Sequence, residues 1–94
     1  ESYIIDSGSL SLSATKLWIG EVGAMLIEPR EETPWDLMPV LGICQKLGFV
    51  YLKLPDLEEW KPPITKEIFK RDFPVIIIHS NCVNDLNNLL DVPF

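Results

Sequence analysis

Four residues combine reactive side chains with neighbours able to assist them: Asp6, His79, Ser80 and Cys82. Three of these share the stretch His79-Ser80-Asn81-Cys82, directly after the apolar run Phe73-Pro74-Val75-Ile76-Ile77-Ile78. If that run is a strand, the stretch lies at its C-terminal end, where open α/β sheets place their ligands. His79 could serve there as a general base, with Ser80, Asn81, Cys82 and Asp85 around it. Cys82, in the first turn of a following helix, would have its thiolate favoured by the free amides of that turn. A Cys82–His79 nucleophile pair is the enzymatic or ligand-sensing reading of this segment. The structural reading makes His79 a satisfied structural residue and Cys82 a small buried one. His79 is the single histidine of the chain, and metal sites draw on clusters, so no metal is expected. No cofactor is expected either. Glycines 8, 20, 23, 42 and 48 form no phosphate-cradling pattern, and Cys44 and Cys82 are too far apart for a Cys-x-x-Cys redox pair.

Asp6 belongs to Ile4-Ile5-Asp6-Ser7-Gly8-Ser9, an apolar run followed by Asp-Ser-Gly. This resembles the Asp-Ser/Thr-Gly loop of aspartic proteases, including the short retroviral type that assembles as a dimer. The resemblance implies that Asp6 would meet its own copy across an interface, where two close carboxylates share a proton. It covers six residues. The family's later apolar-apolar-Gly motif has no counterpart in a suitable place, since Trp18-Ile19-Gly20 comes too early. Asp-Ser-Gly is also ordinary turn chemistry after a strand.

A binding reading comes from Asp56-Leu57-Glu58-Glu59-Trp60-Lys61-Pro62-Pro63, a loop of acids and prolines around a tryptophan. Tryptophan is enriched among interface hot spots, so Trp60 with Leu57, Glu58 and Glu59 forms the candidate partner-binding set. Trp60 covering a sheet edge is the structural alternative. Trp18 and Trp35 lie in apolar runs and are expected in the core.

The elements that would position these residues follow from periodicity. Residues 2–6 are a short strand, and the alternation of Leu10, Leu12 and Ala14 with serines reads as an edge strand or a connector. The apolar run 16–28 reads as a hairpin turning at Gly20–Gly23 or one strand bulged at a glycine, so a hairpin within 10–23 stays open. Residues 24–28 and 49–54 are strands, and 74–79 is a central strand buried on both faces, its β-branched residues unbroken by polar ones. A helix is expected over 35–47, with Thr33 capping, Pro34 at its first position, Asp36 reaching back as in a capping box, and Gly48 closing it. Two more helices are expected over 65–71 and 82–90. Strand and helix then alternate, which predicts a small α/β domain of two or three layers. Its sheet would have three to five largely parallel strands with about three helices, and an N-terminal strand or hairpin at an edge.

Ninety-four residues allow a single domain, and 47% apolar with 23% charged residues suit a folded one. The net charge of −6 repels phosphate backbones, and no lysine–arginine cluster reverses it locally. A protein partner with a basic surface is the natural use of that charge, and a homodimer stays open. No apolar stretch is long enough for a membrane helix, and no signal peptide is visible. Glu1 in place of an initiating methionine points to a piece of a longer polypeptide. Two cysteines in so small a domain suit free thiols in a reducing, intracellular compartment. The chain is therefore expected to be a non-enzymatic interaction or assembly domain, with the His79/Cys82 enzyme and the Asp6 protease as alternatives.

Overall fold

The computed structural model describes residues 3–6 and 10–85. In chain order these form β1 (Tyr3–Ile5), α1 (Leu10–Trp18), β2 (Ala24–Ile27), β3 (Arg30–Glu32), α2 (Pro34–Lys46), β4 (Phe49–Lys53), β5 (Glu58–Glu59), β6 (Phe69–Arg71) and β7 (Val75–His79). A 3-10 turn over Ser80–Asp85 follows. The larger sheet has the order β1-β2-β7-β4-β5, and β3 pairs with β6 in a separate two-stranded ribbon.

The sheet departs from the largely parallel one expected. Only β1 and β2 pair in parallel, joined through α1, and every other pairing is antiparallel. β1, β2 and β4 do point the same way, as alternating strands and helices require. β7 runs against them, and the expected helix over 65–71 is absent. In its place Phe69–Arg71 forms β6, with Glu31 opposite Lys70 and Glu32 opposite Phe69. β7 enters the sheet antiparallel to both β2 and β4. The described residues thus hold two α-helices where about three were expected, and of the region proposed as a last helix they show only the 3-10 turn. Residues 86–90 of that proposal lie outside the described residues.

Residues 10–18 are helical, not a strand or hairpin. Leu10, Ala14 and Leu17 are its buried residues, spaced as one helical stripe. A pair at i and i+4 satisfies both period two and period 3.6, which is why the alternation misled. α2 matches its expected span, with Pro34 at its start and Gly48 at φ +89° just beyond its end. Thr33 does not cap an amide, however. Its hydroxyl donates to Asp36 Oδ2 at 2.8 Å, so the two side chains satisfy each other.

Side chains alternate strictly across the sheet. Met25, Ile27, Val75 and Ile77 face the two helices, where they meet Leu10, Ala14, Leu17, Leu37, Val40, Leu41 and Cys44. Ala24, Leu26, Leu52, Leu54, Ile76 and Ile78 form the opposite face, with Cys82 and Val83 against it. β7 is fully buried from Val75 to Ile78, as a central strand should be.

Candidate functional site

Asp6 ends β1, and its amide continues the parallel ladder by donating to the Leu26 carbonyl at 2.9 Å. Its carboxylate is buried and engaged on both oxygens. Ser13 Oγ donates to Oδ1 at 2.8 Å, and Arg30 Nη1 pairs with Oδ2 at 2.7 Å. Ser7 to Ser9, the rest of the protease-like loop, lie outside the described residues. The surrounding frame carries α1 and α2, whereas the protease resemblance implies an all-β one.

From Asp6 a chain of charge runs on through the part-exposed Arg30 and the buried Glu32 to the buried Arg71. Arg30 Nε contacts Glu32 Oε1 at 3.2 Å, and Arg71 Nη2 contacts Glu32 Oε2 at 2.9 Å. Arg71 is 2% exposed and uses each of its nitrogens. Nε donates to Glu32 at 3.0 Å, Nη2 to the Glu28 carbonyl at 2.7 Å, and Nη1 to the carbonyls of Ile27 and Phe73. The end of β2, the entry to β7 and the β3–β6 ribbon are thereby tied to one guanidinium. Burial lowers the Arg71 pKa, and Glu32 offsets only part of that. At Arg30 burial also works downward, but hydrogen bonding and charge from Asp6 and Glu32 outweigh it and the pKa rises. Two cations balance two anions, which is the condition for burying charge at tolerable cost. Among the described residues no buried side-chain nitrogen or oxygen lacks a hydrogen-bond partner.

His79 and Cys82 do not form a pair across the strand–turn junction. His79 lies opposite Phe49 on the helix-facing side, its ring edge-on to Phe49 at 5.3 Å between centroids. Its Nδ1 accepts the Asn81 amide at 3.1 Å. A Cβ placed on Gly48 would come within 2.8 Å of Nε2, so the imidazole fills the space beside that glycine. Cys82 packs instead against the opposite face. Its turn is 3-10, so the α-helical N-terminus expected to activate it is not formed. Both thiols are free, and the sheet separates Cys82 from Cys44. Cys44 accepts the Trp18 indole N–H at 3.2 Å, and burial pushes its pKa up. Among the described residues no group of three histidine, cysteine or acidic side chains could hold a metal ion.

Trp60 and its neighbours separate into support and surface. Trp60 is 5% exposed, with its ring edge-on to Phe73 at 6.1 Å and 5.7 Å from the Arg71 guanidinium carbon. Its amide donates to the Tyr51 carbonyl at 2.8 Å. The tryptophan is thus a core residue that roofs the buried arginine. Trp35, expected in the core, is 61% exposed instead. Glu58 and Glu59 form β5 and are exposed at the edge of the five-stranded sheet. Leu57, which precedes them at φ +61°, is also exposed. Beside this edge, α2 and the 60–64 segment enclose a groove of about 450 Å³ whose walls include Met38, Leu41, Phe49, Tyr51 and Ile64. Tyr51 donates its hydroxyl to the Leu41 carbonyl, and burial is the main cause that raises its pKa to about 12. A second hollow of about 440 Å³ opens between the first turns of α1 and α2, over the already paired Arg30 and Glu32.

Sequence reasoning reached the β5 segment through its tryptophan, although the tryptophan itself is internal. It missed the groove, because Met38, Tyr51 and Ile64 come from three separate segments. It also missed Arg30, Glu32 and Arg71. The available signal was Arg30 and Glu32 two apart, a spacing that puts both on one side of a strand.

Comparison with protein-family models, curated proteins and solved structures found no match to this chain. Among the described residues no helix is long and apolar enough to cross a membrane.

Proposed function

We propose that this chain is a non-enzymatic protein–protein interaction domain that takes an extended, basic segment of its partner along the free edge of β5. The observation that carries the reading is that edge. The main sheet ends in a two-residue strand of exposed glutamates, with an apolar groove alongside. An added strand gains main-chain hydrogen bonds from such an edge, and alternate side chains reach the adjoining surface. Glu58 and Glu59 repel a second copy of the same edge and favour lysine or arginine in the incoming strand. The net charge of −6 adds long-range attraction for a basic partner. Asp6 is fully engaged and His79 is turned away from Cys82, which supports a non-catalytic role. The free thiols support an intracellular setting.

Since Trp60 is buried, the surface test belongs to Glu58 and Glu59. A fluorescein-labelled peptide alternating lysine with valine should bind the chain, with affinity falling as salt is raised. In the double variant Glu58→Lys/Glu59→Lys, read by fluorescence anisotropy, binding should weaken by about tenfold or more. Equal affinity of variant and wild type would remove β5 as the site.

A further inference from the structure

The outer face of α2 is apolar in a pattern that fits itself. Its buried side is Pro34, Leu37, Val40, Leu41 and Cys44. The opposite side carries Trp35 at 61%, Ile43 at 44% and Leu47 at 48% exposure, with Pro39 and Gly42 exposed between them. Trp35, Pro39, Ile43 and Leu47 recur every fourth residue, the row that forms a packing ridge on a helix surface. On an isolated molecule this ridge leaves a tryptophan and two aliphatic side chains in water.

The geometry points to a second copy of this chain as the occupant, packed through antiparallel contact of the two α2 helices about a two-fold axis at the level of Leu41. The charges decide this choice of partner. An axis there sets Trp35 opposite Leu47 of the second copy and Pro39 opposite Ile43, since each pair is equidistant along the helix from residue 41. The same axis sets Asp36 opposite Lys46 of the second copy. These two are the charged residues of α2, one in its first turn and one in its last. A parallel arrangement would instead oppose Asp36 to Asp36 and Lys46 to Lys46. Two-fold interfaces require this kind of self-complementarity, in which one residue meets another and receives the reverse contact in return. Near the axis lies Gly42, where an added Cβ would meet nothing within 4 Å, so the helix backbones are free to approach closely. The contact uses none of residues 57–59, although Gly42, near its axis, also lines the groove beside the β5 edge.

Sedimentation velocity on the wild-type chain at physiological ionic strength should show a concentration-dependent monomer–dimer equilibrium. Ile43→Asp, at an exposed position, should keep the wild-type circular dichroism spectrum and raise the dimer dissociation constant about a hundredfold, because the interface carries the substitution twice. The register is tested by charge exchange. Asp36→Lys alone and Lys46→Asp alone should each be monomeric, since each opposes like charges, whereas an equimolar mixture of the two should form a heterodimer with both pairs restored. A wild-type chain that stays monomeric up to about 1 mM overturns the proposal. So does an Ile43→Asp variant that dimerises as the wild type does, or a mixture that fails to associate.

Discussion

Arg71 ties separate parts of the molecule together, because its guanidinium bonds Glu32, the consecutive carbonyls of Ile27 and Glu28 at the end of β2, and the Phe73 carbonyl before β7. Substituting Arg71→Met leaves the Glu32 carboxylate buried beside only Arg30, and strands the carbonyls of Ile27, Glu28 and Phe73. Removing one partner of a buried pair costs about 3–5 kcal/mol, so urea denaturation should show a loss of that size. A loss below about 1 kcal/mol would mean that the network is not structural. Tyr51 supplies a second test. Its folded-state pKa of about 12 lies above the unfolded value of 10.0, so the folded form holds its proton more tightly. The stability this contributes is complete below pH 10 and is lost as the pH rises through 12. The stability gap between wild type and Tyr51→Phe should therefore narrow across that window, as chemical denaturation at several alkaline pH values would show. A gap that stays constant would contradict it. Neither residue was legible as a site in the sequence. Glu32 and Arg71 are 39 positions apart, and nothing local to either announces the other.

At the level of elements, the legible parts were those whose local signals agree. α2 has proline at its start, a helical apolar stripe and a left-handed glycine after its end. β7 is an unbroken β-branched run. Where local signals conflict, tertiary contacts decided. The serines of residues 9–13 suited neither a strand nor a helix, and burial of Leu10, Ala14 and Leu17 settled α1 as a helix. Residues 65–71 had helical composition, but Arg71 pairs with Glu32 and the ribbon forms, with Lys70 in register with Glu31. The junction of α2 and β4 depends on Gly48, whose carbonyl accepts the Ser80 amide at 2.9 Å. Gly48→Ala combines positive φ with a Cβ pressed against His79. The expected cost is about 1–3 kcal/mol, measured as a lowered thermal midpoint. An unchanged midpoint would show that the imidazole yields freely.

At the scale of the whole molecule, strand directions follow from which connections are helical. Reading five elements correctly in kind (residues 2–6, 24–28, 35–47, 49–54 and 74–79) still gave the wrong sheet, because β7 runs antiparallel to both of its neighbours. β5 pairs with β4 on the side away from β7 and ends the sheet, which leaves the glutamate edge open. The exposure of Glu58 and Glu59 in the acid-rich loop was legible; the burial of Trp60 was not. The central claim is that this edge receives an extended basic segment. The direct measurement is a 15N–1H correlation spectrum of the chain titrated with the lysine–valine peptide. The amides of residues 49–53 and 57–61 should shift together and saturably, with that of Glu59, whose N–H points away from β4, newly protected from exchange. Shifts confined to α1 or β1, or none at saturating peptide, would contradict the claim.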